Sequence, residues 1–224
     1  MTKLILALHG TGPALEDPAL RARLAAVGVT RFQLNVDDEA VAPAMRFGPG
    51  DAGGRPITAF VTLWTDGDPA AAVGVLADLA PEVHAWRVTE RRPIEPPTVP
   101  DGERADSLAN IAVLRRPEGM TREEYLDIWL NDHTPIAIAT QNTFGYVQNI
   151  VEEALTPGSP ELSAIVEELF PMSGLTDMHE FYGSGGDDEE LSRRITELMA
   201  SVARFGADQG LDLVPTSRYV WDLA

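Results

Sequence analysis

The chain has 224 residues, 44% of them hydrophobic and 23% charged, which is ordinary for a soluble globular protein of one large or two small domains. Seventeen basic residues against thirty-five acidic ones leave a net charge of −18, a surface that repels nucleic-acid backbones and anionic membranes. There is no cysteine, which excludes disulfides, thiolate metal sites and cysteine nucleophiles. No apolar run approaches the roughly 20 residues of a membrane span, and the N-terminus reads as a strand rather than a signal peptide; the expected location is the cytoplasm.

The first half reads β-α-β-β-α-β. Leu4 to Leu8 is a short buried strand. Asp17-Pro18 supplies an N-cap with proline at the first helical position, Leu20, Leu24 and Val27 form that helix's apolar stripe, and Gly28 stops it. Phe32, Leu34 and Val36 alternate with polar residues as in a half-buried strand. Residues 37–56 are rich in Asp, Gly and Pro and read as a long loop. Ile57 to Trp64 is a strand, Asp68-Pro69 repeats the cap signal for a helix to about Leu79, and Val83 to Val88 closes the unit. Trp86 shares a face with His84 and is a candidate for the end of a ligand cavity.

Residues 91–106, with Pro93, Pro96, Pro97 and Pro100 among charges, read as a linker between a repeat at 1–90 and a second at 107–224. After it the plan recurs. Leu108 to Leu114 is a strand in which Asn110 is opposite in parity to Ile111 and Val113. A helix at 121–141 follows. Thr121 with Glu124 makes a capping box and Met120 with Tyr125 a hydrophobic staple. Tyr125, Trp129 and His133 fall on one face, and Pro135, two residues beyond the histidine, is expected to interrupt the helix. Phe144 to Val151 is a strand with Tyr146 and Gln148 on one face. A helix is expected at 160–169, capped by Ser159, then a strand at Thr176 to Tyr182 in which only one of His179 and Glu180 can face inward. A helix from Asp187 to Val202 and a strand from Leu211 to Leu223 complete the chain.

The run W-x-x-x-H-x-P at Trp129, His133 and Pro135, the strand ending in Arg115-Arg116 before it, G-Y-V-Q at 145–148 and D-M-H-E-F-Y at 177–182 together resemble the EthD family of the dimeric α+β barrel superfamily. The resemblance covers most of residues 107–222. It implies a ferredoxin-like β-α-β-β-α-β unit whose open sheet face pairs with a second sheet. With the first half, this gives an α+β fold of two ferredoxin-like repeats closed into an intramolecular dimeric α+β barrel. The large mixed faces Phe60/Trp64 and Tyr146/Gln148 are expected to line a barrel interior that holds a small molecule.

Imidazole titrates near neutrality, and the resemblance implies that His133 faces the cavity, so His133 is the expected general acid/base. Tyr146 and Gln148 would orient a substrate with Asn110, and Trp129, Tyr125 and Trp86 would supply apolar walls. Glu180 is the inward carboxylate favoured by the resemblance and could pair with His133. The relatives that resemble this chain include polyketide cyclases and dehydratases. They imply a cofactor-independent enzyme that dehydrates, cyclises or isomerises a small apolar, oxygenated, aromatic or polyketide-like substrate. A non-catalytic binding or accessory protein is the alternative, and haem binding, which other superfamily members perform through a histidine, a lesser one. No metal is expected, because the sequence has no H-x-H, H-x-x-x-H or carboxylate–histidine cluster, and no nucleotide cofactor, because it lacks a phosphate-binding glycine motif. An exposed outer face could support a homodimer.

Overall fold

The computed structural model describes residues 1–10, 13–48 and 55–224. The expected loop at 37–56 therefore lies partly outside the described residues. In the first half, β1 (Thr2–His9), α1 (Pro18–Ala26), β2 (Val29–Val36), β3 (Ile57–Thr65), α2 (Pro69–Leu76) and β4 (Glu82–Ile94) follow in order. Both helices start as the sequence dictates: the Asp17 carboxylate accepts from the Ala19 N–H and that of Asp68 from the Ala70 N–H, with proline next in each case. Gly28 follows α1 at φ +86°, and a Cβ there would stand 2.9 Å from the Gly67 backbone, so only glycine fits the turn.

The second half comprises β5 (Leu108–Leu114), α3 (Arg122–Asp127), a π-helical turn at Ile128–His133, α4 (Thr134–Thr140), β6 (Gly145–Ala154), β7 (Ala164–Phe170), α5 (Met178–Tyr182), α6 (Asp188–Ala203) and β8 (Asp212–Asp222). Each half is a four-stranded antiparallel sheet in ferredoxin-like order, β2-β3-β1-β4 and β8-β5-β7-β6. β2 pairs with β8 and β4 with β6, so the two sheets share their edges and close into one eight-stranded antiparallel barrel. Closure leaves no free strand edge, and the fold expected from the sequence is the one observed. Among the described residues no helix is long and apolar enough to cross a membrane.

Three elements differ from the sequence reading. The segment expected as a helix at 160–169 contains β7, which pairs with β5 and β6. Its residues 164–170 are buried almost throughout, so it lacks the alternation that marks a half-exposed strand, and a Ser159-Pro160 cap signal precedes it. The strand expected at Thr176–Tyr182 is instead the short helix α5. Asp177 caps it by accepting from the N–H groups of His179 and Glu180, and Gly183, at φ +66°, ends it. β4 extends to Ile94, through the first residues read as linker, because its far end pairs with β6.

The barrel interior is solid. Ile5, Ala7, Phe60, Trp86, Ile111, Val113, Val151 and Ile165 fill one part of it. The remainder holds a buried polar lattice. Gln33 donates to Asn35 and Glu167 at 2.8 and 2.9 Å, Asn35 donates to Glu167 and Thr216 at 2.9 and 3.1 Å, and Arg218 lies 3.1 Å from the Glu167 carboxylate. Lys3 pairs with Glu90 and donates to Asn149 at 2.6 Å. The void left among these groups is about 10 Å³, too small for a guest. The expectation of a ligand inside the barrel is thus corrected: packed and ion-paired side chains already occupy that space.

Candidate active site

The space for a ligand lies on the other side of the second sheet. A cavity of about 1110 Å³ separates the outward face of β5, β7 and β6 from the helices that cover it. Its floor comes from the even-numbered residues of those strands, among them Leu108, Asn110, Ala112, Tyr146, Val166 and Glu168. Its roof comes from Trp129, His133, Leu198, Val202 and Phe205. Met45, Phe47, Met178 and Met199 are exposed and line the same space, giving it an adaptable apolar rim.

The roof begins as expected, with the Thr121 hydroxyl accepting from the Glu124 N–H at 3.1 Å. The helix does not end at His133. It widens into the π turn, in which the Thr134 N–H reaches back to the Trp129 carbonyl, and continues as α4 through Pro135. An added residue in the turn gives room to a proline ring that a regular α-helix would reject. His133 is consequently mid-helix, away from the terminal carbonyls that would favour its charged form. Its Nδ1 lies 2.9 Å from the Ser201 hydroxyl on α6, and its ring packs 4.8 Å from that of Phe205. Burial lowers its pKa to about 4, so at neutral pH it is a neutral imidazole. Nε2 has no partner among the described residues.

The floor carries the main polar feature. Asn110 is the register partner of Glu168 on one side and Tyr146 is its partner on the other, so the three side chains form a row across β5, β7 and β6. Buried Oδ1 of Asn110 and Oε1 of Glu168 have no hydrogen-bond partner among the described residues. Burial raises the Glu168 carboxyl to about 7. Burial, and then the nearby Glu168 charge, pushes the Tyr146 and Tyr182 phenols up as well.

Of the residues singled out in the sequence, His133, Trp129, Tyr146 and Asn110 thus meet, though around the helix-covered cavity. Gln148 shares their sheet face but is fully buried behind it; its Nε2 donates to the Thr134 hydroxyl at 2.8 Å and ties sheet to roof. Tyr125 is also behind the wall, packed on Trp129 and Phe205 with ring centroids 6.1 and 5.7 Å away. Trp86 is no part of the site: it fills the barrel interior and donates to the Pro160 carbonyl at 3.3 Å. Glu180 is exposed on α5, where it accepts from Ser173 at 2.9 Å, and the expected pair with His133 does not exist. The carboxylate on the cavity floor between Asn110 and Tyr146 is Glu168, which the helical reading of its segment concealed. The adjacent pair Glu167-Glu168 inside A-I-V-E-E-L-F was the available signal, since a strand sends one of two neighbours to each face.

The sheet brings His9 beside Glu82 and His84, a carboxylate–histidine cluster that the sequence spacing does not display.

Fold and site define a dimeric α+β barrel closed within one polypeptide, with a ligand-sized chamber under one of its two sheets. Solved structures agree with that class. An anthrone oxidase-like protein superposes with a TM-score of 0.56 at 10% identity, over 100% of this chain and 93% of its own. A candidate monooxygenase from Fusobacterium nucleatum subsp. nucleatum ATCC 25586 gives 0.51 at 6%, over 99% of this chain and 94% of its own. No family model and no curated protein matches the sequence. At these identities the likeness is one of fold, and it reaches the barrel class but not the EthD family within it.

Proposed function

We propose that this chain is a small-molecule enzyme that removes a proton from carbon activated by a carbonyl group, in an apolar, oxygenated, ring-bearing substrate. The observation that carries this reading is the Asn110–Glu168–Tyr146 row: a carboxyl with an unpartnered oxygen, raised by burial to about 7, flanked by two groups able to donate to oxygen. Glu168 as carboxylate takes the proton, the C–H electron pair forms a C=C bond as the C=O π pair moves onto oxygen, and the Tyr146 hydroxyl and Asn110 amide hold the resulting enolate. His133, neutral above about pH 4, offers Nε2 to a substrate hydroxyl and serves as a second proton acceptor. Trp129, Phe205 and the methionine rim suit a flat apolar body.

An anthrone, the substrate class in the name of one structural neighbour, is an aryl ketone with an acidic methylene and meets that description. The enolate is the common branch point of elimination, ring closure and isomerisation. It is also the electron-rich species that dioxygen captures when a methylene and O2 become a carbonyl and water. The neighbours' names favour the oxygen branch over the lyase or isomerase one.

Deuterium exchange tests the shared step apart from its outcome. An anthrone-type ketone incubated with the protein in D2O without oxygen should lose its methylene proton signal faster than in buffer. Glu168→Gln should slow this by about 100-fold or more. Exchange no faster than in buffer, or unaffected by that substitution, overturns the proposal; saturable binding without exchange would assign the chamber to a binding protein.

A further inference from the structure

A second group of chemically capable residues lies outside the cavity, at one end of the barrel. His9 is the last residue of β1 and faces Glu82 in the β1–β4 register, while His84 lies two residues along β4 on the same side as Glu82. One ligand atom from each of the three lies within 4.8 Å of the others. The His9 and His84 rings meet edge to face at 5.5 Å, and His84 rests against Trp86 at 6.1 Å, which gives the group an apolar base.

The hydrogen bonds orient the donors. His9 Nδ1 is 2.7 Å from the Arg55 carbonyl, which can only accept, so Nδ1 carries the proton and Nε2 keeps its lone pair. A backbone carbonyl on the far ring nitrogen is the usual support for a metal-ligating histidine. His84 Nε2 lies 2.8 Å from the Glu82 carboxylate, and its Nδ1 is buried without a partner among the described residues. The histidines are half-buried and Glu82 is exposed, so an ion can reach the group from solvent.

We propose that His9, Glu82 and His84 form a binding site for a first-row divalent transition metal of the zinc class. Two imidazoles and one carboxylate are borderline-to-hard donors that suit Zn²⁺, Co²⁺ or Ni²⁺ better than Ca²⁺ or Mg²⁺, and three protein ligands leave a coordination position for water. Binding replaces the His84–Glu82 hydrogen bond with two metal bonds and pins the end of β1 to the start of β4. The site is independent of the chemistry proposed for the Glu168 cavity.

Calorimetric titration of chelator-treated protein with Zn²⁺, with Co²⁺ absorption as a second readout, tests it. One saturable equivalent is expected, with no comparable binding of Ca²⁺. Replacing His84 or His9 by Ala should weaken Zn²⁺ by more than the roughly 10–100-fold that loss of an outer-shell partner costs. Glu82→Gln, on an exposed side chain whose loss leaves the core intact, guards against misfolding in the histidine variants and should weaken binding at least 10-fold. His133→Ala should leave Zn²⁺ affinity unchanged. Absence of a one-equivalent site, or an affinity indifferent to the His9, Glu82 and His84 substitutions, overturns the proposal.

Discussion

Glu168 and His133 border the same cavity, and burial moves them in opposite directions, the acid up to about 7 and the imidazole down to about 4. The sign of each effect on stability follows. Glu168 has a raised folded pKa, so its favourable contribution is complete below about 4.5 and is lost as pH rises through 7. His133 has a lowered one, so its contribution is complete above about 6.5 and is lost as pH falls toward 4. Glutamine imitates the protonated acid. Glu168→Gln should therefore be more stable than the parent at pH 8, by up to about 3 kcal/mol at roughly 1.4 kcal/mol per pKa unit. The gain should shrink to nothing near pH 4.5. Urea denaturation at several pH values measures this, and a variant no more stable at pH 8 would mean that the carboxylate is well solvated. A substitution that stabilises the fold while removing proton transfer is the behaviour of a group kept for function.

At the scale of the element, the π turn decides where the roof side chains point. Thr134 is its pivot. The N–H and the hydroxyl of Thr134 both donate to the Trp129 carbonyl, and its Oγ1 accepts from Gln148 on β6. Valine has the shape of threonine without the hydroxyl. Thr134→Val should cost about 1–3 kcal/mol, because it strips the buried Gln148 amide of its shorter bond. Thermal unfolding measures that cost, and a change under 0.5 kcal/mol would show that the helix and sheet are held together without this link. Proline, taken alone, ends a helix, and the W-x-x-x-H-x-P spacing gives no sign of the extra residue that lets the chain pass it. The capping box at Thr121, by contrast, is a local contact and was readable as such.

For the whole molecule, closure matters more than either half. β2–β8 and β4–β6 pairing joins the two sheets, and the interior lattice around Glu167 takes members from β2, β7 and β8. Neither half completes its interior without the other, so urea should unfold the chain in a single transition. Glu167→Ala leaves the Arg218 guanidinium buried without its counter-charge and should lower stability by about 3–5 kcal/mol with the slope unchanged. Two separate transitions, or a loss under 1 kcal/mol, would contradict this account of the interior.

Contacts that are local or periodic are legible in the residues alone. These are the aspartate-proline and threonine caps, the glycine at 28, the alternation along β2, and with them the β-α-β-β-α-β plan of the first half. Equally legible is that Tyr146 and Gln148 share a face and that Asn110 opposes Ile111, because parity along a strand is fixed by the pleat. Which face turns into the barrel is a different matter. Alternation is relative, and where both faces are buried, one by a second sheet and the other by helices, hydropathy cannot tell them apart. The tertiary structure alone decided that the Tyr146 face lies under the helices, that A-I-V-E-E-L-F is a strand, and that Glu168 stands between Asn110 and Tyr146. It alone set His9 beside Glu82 and His84, since strands distant in sequence become neighbours only once hydrogen-bond register and barrel closure are fixed.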